Sequence, residues 1–316
     1  MGTGEFALPT FRHLMEADSH EVVGVFTQPE RSGRGHHRHV NPVRVLGEEH
    51  GVPVFQPDNV NEPEILDALR SLNADVFVVA AYGQILKNAL LEIPRLGAFN
   101  LHGSLLPKYR GAAPVQYTIW NGDPVGGVTM FQIERSLDSG PVVGVVETKI
   151  SPDDTSGTLM TRLADLSVSL TQDVLDQLDA NTAVFEVQDT NLVTLAPKIQ
   201  KAEGVIDWTR TAEEIDCHIR AMQPWPKAST WLHLEGRKPL RCILQSATPT
   251  NHSISGPPGN IVIEPEQKTL LIVTGDGCLA PTSIQPQGKQ AMPIEAFANG
   301  YLGGKSASFG MEAPPS

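Results

Sequence analysis

A chain of 316 residues, 40% of them hydrophobic, exceeds what one hydrophobic core usually organises, so two domains are expected, and no apolar run approaches the roughly 18 residues that span a bilayer. The formal net charge of -12 excludes a protein that coats nucleic acid non-specifically, because neutralising phosphates needs a surplus of Lys and Arg; any such contact has to be local. Cys217, Cys242 and Cys278 lack Cys-x-x-Cys spacing and fit neither a zinc site nor a disulfide framework, and Met1-Gly2-Thr3-Gly4-Glu5 has no basic start or apolar centre of an export signal, so a cytoplasmic protein without membrane attachment is expected.

The first half alternates β-rich runs with helical patterns. Residues 21–27 (EVVGVFT), 52–56 and 74–81 (ADVFVVAA) read as strands, with helices near 42–50 and 63–72 between them. Such alternation predicts βαβ units and a parallel sheet. There follow a strand at 97–103 (GAFNLHG), a helix at 113–120, strands at 127–133 and 142–150, and a long helix at 156–178. The first domain is assigned to 1–185 and a linker to 186–202. Residues 203–302 hold one more helix, 212–222, and short strands at 231–235, 240–246, 259–263 and 269–274 separated by Gly and Pro, the pattern of a small β-barrel or sandwich. Residues 303–316, rich in Gly, Ser and Pro, are expected to be a disordered tail.

Asn100 and His102 stand two apart on the 97–103 strand, so period-two alternation puts both on one face near its carboxyl end, where open parallel sheets build sites. A polar, Gly- and Pro-marked loop follows from Ser104-Leu105-Leu106-Pro107 to Pro114, and the turn-like Leu137-Asp138-Ser139-Gly140 supplies a carboxylate expected to face the imidazole. Acyl transfer between nitrogens passes through a tetrahedral carbon with a developing oxyanion, and a proton must leave the attacking amine. Asn100 would donate to the oxyanion; His102 would assist in that or move the proton; Asp138 would orient or charge the ring. Spacing alone does not establish this, because an Asn-x-His pair on a strand is more often a satisfied polar pair, and a lone Asp in a turn more often a turn former.

The whole string Asn100-Leu101-His102-Gly103-Ser104-Leu105-Leu106-Pro107-Lys108-Tyr109-Arg110-Gly111-Ala112-Ala113-Pro114, with Leu137-Asp138-Ser139-Gly140 downstream, closely resembles the signature of the formyltetrahydrofolate-dependent formyltransferase family. The segments Gly111 through Gln116, Phe26-Thr27-Gln28-Pro29-Glu30-Arg31 leading to Gly33-Arg34-Gly35, Ile206-Asp207-Trp208 and Pro224-Trp225-Pro226 are similar to the branch that acts on methionyl-tRNA. The resemblance implies an N-terminal, doubly wound, mostly parallel Rossmann-like domain and a C-terminal OB-like β-barrel. It implies 10-formyltetrahydrofolate as co-substrate, no metal, and methionyl initiator tRNA as acceptor, formylated on its α-amino group for translation initiation by a monomeric enzyme. Asn100, His102 and Asp138 match the family's catalytic trio; Ser104, Leu105, Leu106 and Pro107 match its tetrahydrofolate-binding loop. Formyl transfer to a nucleotide sugar, hydrolysis to formate, and an inactive tRNA- or folate-binding module are the alternatives.

Residues 31–47 (RSGRGHHRHVNPVRVLG) contain four arginines and three histidines but no acid, a local inversion suited to phosphate contacts. By the resemblance this loop meets the tRNA acceptor end, with Arg31, Arg34 and Arg38 as contacts and Arg34 the main one. Gly2-Thr3-Gly4-Glu5-Phe6-Ala7 formally fits a dinucleotide fingerprint, but no strand precedes it and the next strand ends in Thr27-Gln28 rather than an acid, so a dehydrogenase is rejected. In the family those glycines follow the first, central strand, which is therefore expected to be missing here.

Overall fold

The computed structural model describes residues 1–30, 40–250, 252, 254–264, 269–303 and 306–310, in two compact units. The first comprises Met1–Pro114, Val125–Lys149 and Thr158–Pro197. Its strands are β1 (Val25–Phe26), β2 (Val54–Phe55), β3 (Val76–Ala80), β4 (Gly97–His102), β5 (Arg110–Gly111), β6 (Val125–Gln132), β7 (Val142–Lys149) and β8 (Leu195–Ala196). β1 pairs with β2 in parallel, and a four-stranded sheet runs in the order β3-β4-β6-β7. Within it β3 and β4 are parallel, whereas β4-β6 and β6-β7 are antiparallel, so the Rossmann-like sheet is mixed. The β6-β7 pairing follows from chain length, because the connection from Gln132 to Val142 is too short to return a strand in parallel.

Helices α1 (Leu8–Glu16), α2 (Pro42–Glu49) and α3 (Pro63–Ser71) each begin with Pro in the first turn, where a missing N–H costs nothing. At the start of α2 the Asn41 side-chain oxygen accepts from the amides of Val43 and Arg44, and its amide group donates to Thr27 Oγ1 and the Gln28 carbonyl, which ties the helix start to the end of β1. Phe26, Leu66, Leu69, Phe77, Val79 and Leu90 form a core on these elements.

Met1 and Gly2 occupy the space between β1 and β3. The Gly2 amide donates to the Phe26 carbonyl (2.9 Å), the Ala80 amide donates to the Met1 carbonyl (3.0 Å), and the Met1 ammonium donates to the Val78 carbonyl (2.7 Å). A side chain at residue 2 would strike the Ala80 carbonyl at 2.7 Å, so the two-residue bridge requires glycine there. Beside it lies a cavity of about 670 Å³ lined by Phe11, Leu14 and Phe77 and by the charged Asp75, Arg95 and Asp179, among others. Burial lowers the pKa of the Met1 ammonium to about 5.

The second unit comprises Val115–Pro124, Ile150–Gly157 and the residues from Lys198 onward. Its strands are β9 (Ala228–Leu234), β10 (Leu240–Thr250), β11 (Ile261–Ile263), β12 (Leu270–Val273), β13 (Cys278–Pro286), β14 (Met292–Pro293) and β15 (Ala307–Gly310). They form an antiparallel sheet ordered β11-β12-β13-β10-β9-β15, with β14 on β13. An Asn260–Ser308 bridge and a hydrogen bond from the Phe309 amide to the Gly259 carbonyl bring its two edges together, so the barrel is nearly closed. Trp208 is a core residue: its indole N–H donates to Thr230 Oγ1 (3.0 Å) and its ring stacks on Phe309.

Two sequence assignments need correction. Residues 186–197 are not a linker: Glu186 bridges to Val142, and β8 pairs with β5 inside the first unit. Nor is the stretch from 303 a disordered tail throughout, because Ala307–Gly310 pairs with β9 from Leu234 to Trp231. Small residues defined that strand poorly in sequence, yet backbone pairing at a sheet edge needs no large side chain.

Candidate active site

β4 sits between parallel β3 and antiparallel β6, with Asn100 opposite Val79 on one side and Phe131 on the other. Its alternate residues Phe99 and Leu101 are buried in the apolar layer, which turns Asn100 and His102 to the other face. Asn100 is half-buried, and its carboxamide has no hydrogen-bond partner among the described residues. His102 is 5% exposed. Its Nε2 lies 2.9 Å from the Tyr109 carbonyl oxygen, which can only accept, so Nε2 carries the proton. In the neutral ring Nδ1 is therefore the lone pair, and it faces Asp138 Oδ2 at 3.7 Å. Desolvation lowers the His102 pKa, against smaller upward contributions from the Asp138 charge and the Tyr109 carbonyl. The ring is neutral near pH 7 and open to a proton at Nδ1, and the imidazolium formed would meet the carboxylate.

Asp138 adopts a left-handed backbone (φ 48°), a conformation that Asp tolerates better than most residues, and its Oδ2 accepts from the Gly111 amide at 2.8 Å. The carboxylate is thus fixed by the loop that follows β4. That loop is held from within. The Ser104 hydroxyl donates to the Lys108 carbonyl (2.7 Å), while the fully buried Thr129 hydroxyl of β6 donates to the Ser104 carbonyl (2.7 Å) and accepts from the Leu106 amide (3.0 Å). Ser104 is buried, whereas Leu105, Leu106 and Pro107 are half-buried. The absence of a side chain at Gly127 admits Leu105, whose Cδ2 would lie 2.4 Å from a Cβ there.

Residues after β7 complete the support. The Thr194 hydroxyl accepts from the Tyr109 amide (2.9 Å), its carbonyl accepts from the Arg110 amide, and the Ala196 carbonyl accepts from the Ala113 amide. Gln188 takes two hydrogen bonds from the Arg110 guanidinium and donates to the Asp138 and Gly140 carbonyls. Sequence reasoning missed Thr129, Gln188 and Thr194. No local pattern marks the last two, which lie 48 to 85 residues from their partners.

The structure thus brings Asn100, His102, Asp138 and the 104–107 loop together on one unit. Arg31, Arg34 and Arg38 lie outside the described residues. Arg44, the fourth arginine of the basic run, is engaged by Glu30 (2.9 Å) and Glu48 (2.6 Å). Among the described residues no group of three or more His, Cys, Asp or Glu is placed to hold a metal ion, and no helix is long and apolar enough to cross a membrane.

The formyl transferase family profile matches residues 1–175, and the profile of the formyl transferase C-terminal domain matches residues 198–302. The chain belongs to the formyl transferase family. Solved structures similar to it include WlaRD, a sugar 3N-formyl transferase crystallised with dTDP and 5-N-formyl-THF (TM-score 0.65, 17% identity, covering 92% of this chain and 97% of that one). The N-formyltransferase from Helicobacter canadensis, in complex with folinic acid and dTDP-3-aminofucose, is similar at TM-score 0.62 and 18% identity over 89% of this chain and 97% of that one. A HypX variant from Aquifex aeolicus matches at TM-score 0.59 and 15% identity over 90% of this chain. The chain spans about half the length of that HypX. At these identities the likeness is one of fold.

Proposed function

We propose that this formyl transferase moves the formyl group of 10-formyltetrahydrofolate to the α-amino group of methionyl initiator tRNA. The observation that carries the transfer chemistry is an Asn100 carboxamide with no hydrogen-bond partner among the described residues, beside a buried, neutral His102 whose Nδ1 faces Asp138. The amine attacks the formyl carbon, Asn100 donates to the oxyanion that develops, and His102 takes the amine's proton at Nδ1 while Asp138 stabilises the charged ring. The collapsing intermediate returns a proton to the departing folate nitrogen, so no covalent enzyme intermediate is needed. The half-buried Leu105, Leu106 and Pro107, on a loop fixed by Thr129 and Ser104, offer an apolar wall suited to a flat pterin.

The choice of acceptor rests on sequence: with Arg44 paired to Glu30 and Glu48, the remaining arginines Arg31, Arg34 and Arg38, in a run without an acid, suit an RNA backbone, which a small acceptor would not require. An amino sugar carried on a nucleoside diphosphate is the alternative. Single-turnover assays with 10-formyltetrahydrofolate and either methionyl-tRNA or a dTDP-linked amino sugar separate the two. Formylation of the tRNA alone is expected, and transfer only to the sugar would overturn the acceptor assignment.

A further inference from the structure

Gln188 is 7% exposed and spends all of its side-chain polarity on two segments of the site. Its Oε1 accepts from Arg110 Nε (3.1 Å) and from a terminal guanidinium nitrogen of the same residue (2.7 Å), beside the Gly111 amide that binds the Asp138 carboxylate. Its Nε2 donates both protons to the turn that carries that carboxylate, to the carbonyls of Asp138 (2.9 Å) and Gly140 (2.8 Å). The turn needs such a hold. Asp138 sits in a left-handed conformation, and its neighbours from Glu134 to Leu137 are exposed, so little apolar packing fixes it. Gly140 presses so closely on the Gln132 carbonyl that no side chain fits, which leaves the turn's carbonyls aimed at Gln188. An amide side chain is the group that can accept on one side and donate twice on the other; a carboxylate would turn a second acceptor toward two carbonyls.

Resting on the reading of Asp138 as part of the catalytic trio, we propose that Gln188 is a positioning residue, which sets the distance between the Asp138 carboxylate and His102 by clamping the 138–140 turn to Arg110. It touches neither ring nor substrate and acts through Asp138. Misplacement of a reacting group by an ångström costs on the order of 10²-fold in rate, so Gln188→Ala is expected to lower kcat by about that factor while KM for both substrates stays within about threefold. Gln188→Glu, which keeps volume and the acceptor for Arg110 but loses the donors, should lose as much.

The test has two parts. The first is a double-mutant cycle read by single-turnover formyl transfer. If Gln188 acts through Asp138, Gln188→Ala costs less than about twofold in an Asp138→Ala background; an equal cost in both backgrounds, or full kcat in Gln188→Glu, overturns the proposal. Full turnover in Asp138→Ala would instead sink the catalytic reading. The second part needs no activity. Amide hydrogen exchange at Gly111, whose N–H bonds Asp138 Oδ2, should quicken in both Gln188 variants, while Ala113, bonded to the Ala196 carbonyl, stays protected. Unchanged protection at Gly111 would overturn the clamp whatever the acceptor proves to be.

Discussion

Asn100 is a donor that the fold leaves unspent. A carboxamide with no partner among the described residues has no bond there to give up when an oxyanion forms, so its proposed contribution belongs to the transition state. Asn100→Ala is therefore expected to lower kcat by about 10²- to 10³-fold with folate affinity within a few-fold, measured by single-turnover transfer and equilibrium binding. His102 gives a pH signature. Because its pKa is lowered by burial, kcat should stay level near pH 7 and fall only as pH drops below the ordinary histidine range. Asp138→Asn removes the opposing upward contribution, so the acid limb should move to still lower pH while the plateau drops; a limb that moves upward would refute the assignment. The pairing of Asn100 with His102 was legible in the sequence because a strand alternates faces, and so was Asp138, through its turn signal. The tautomer of His102 was not, since it depends on Tyr109, whose carbonyl is aimed by a left-handed backbone (φ 63°) that no propensity marks.

At the level of elements, the loop after β4 is held from both sides, by Thr129 on β6 and by the β5-β8 pair. Thr129→Val keeps the volume but strands the buried Ser104 carbonyl, at about 1–3 kcal/mol, and removes the acceptor of the part-buried Leu106 amide at a smaller cost. Since the loop carries the proposed pterin wall, KM for folate should rise more than kcat falls, which steady-state kinetics will show. Gly111 is constrained twice: its φ is 129°, and a Cβ would lie 2.5 Å from the Ala196 carbonyl. Gly111→Ala should separate β5 from β8 and lower the unfolding free energy read from urea titration by about 2 kcal/mol or more, with turnover falling alongside. Hydrophobic periodicity revealed β3, β4 and β6 because their apolar faces are buried. It missed β8, where two residues with one exposed face pair through the backbone alone, and so a supporting strand was taken for a linker.

For the molecule as a whole, β1 and β3 are joined through Met1 and Gly2, over a cavity lined by apolar and charged side chains alike. The bridge depends on Gly2. Gly2→Ala, whose Cβ would lie 2.7 Å from the Ala80 carbonyl, should loosen it and lower the thermal midpoint; an unchanged midpoint would show that the bridge contributes nothing to stability.

The long reach of the supports also has a meaning in time. Translation supplies about 5–20 residues per second, so Arg110 waits roughly 4 to 16 seconds for Gln188, and Tyr109 longer still for Thr194. For the last 50 residues of that interval the nascent chain has all three members of the trio and can bond Gly111 to Asp138, yet Tyr109, which fixes the proton on His102, is still untethered. If the trio acts as proposed, turnover is expected only once β8, the last strand of the first unit, has been made.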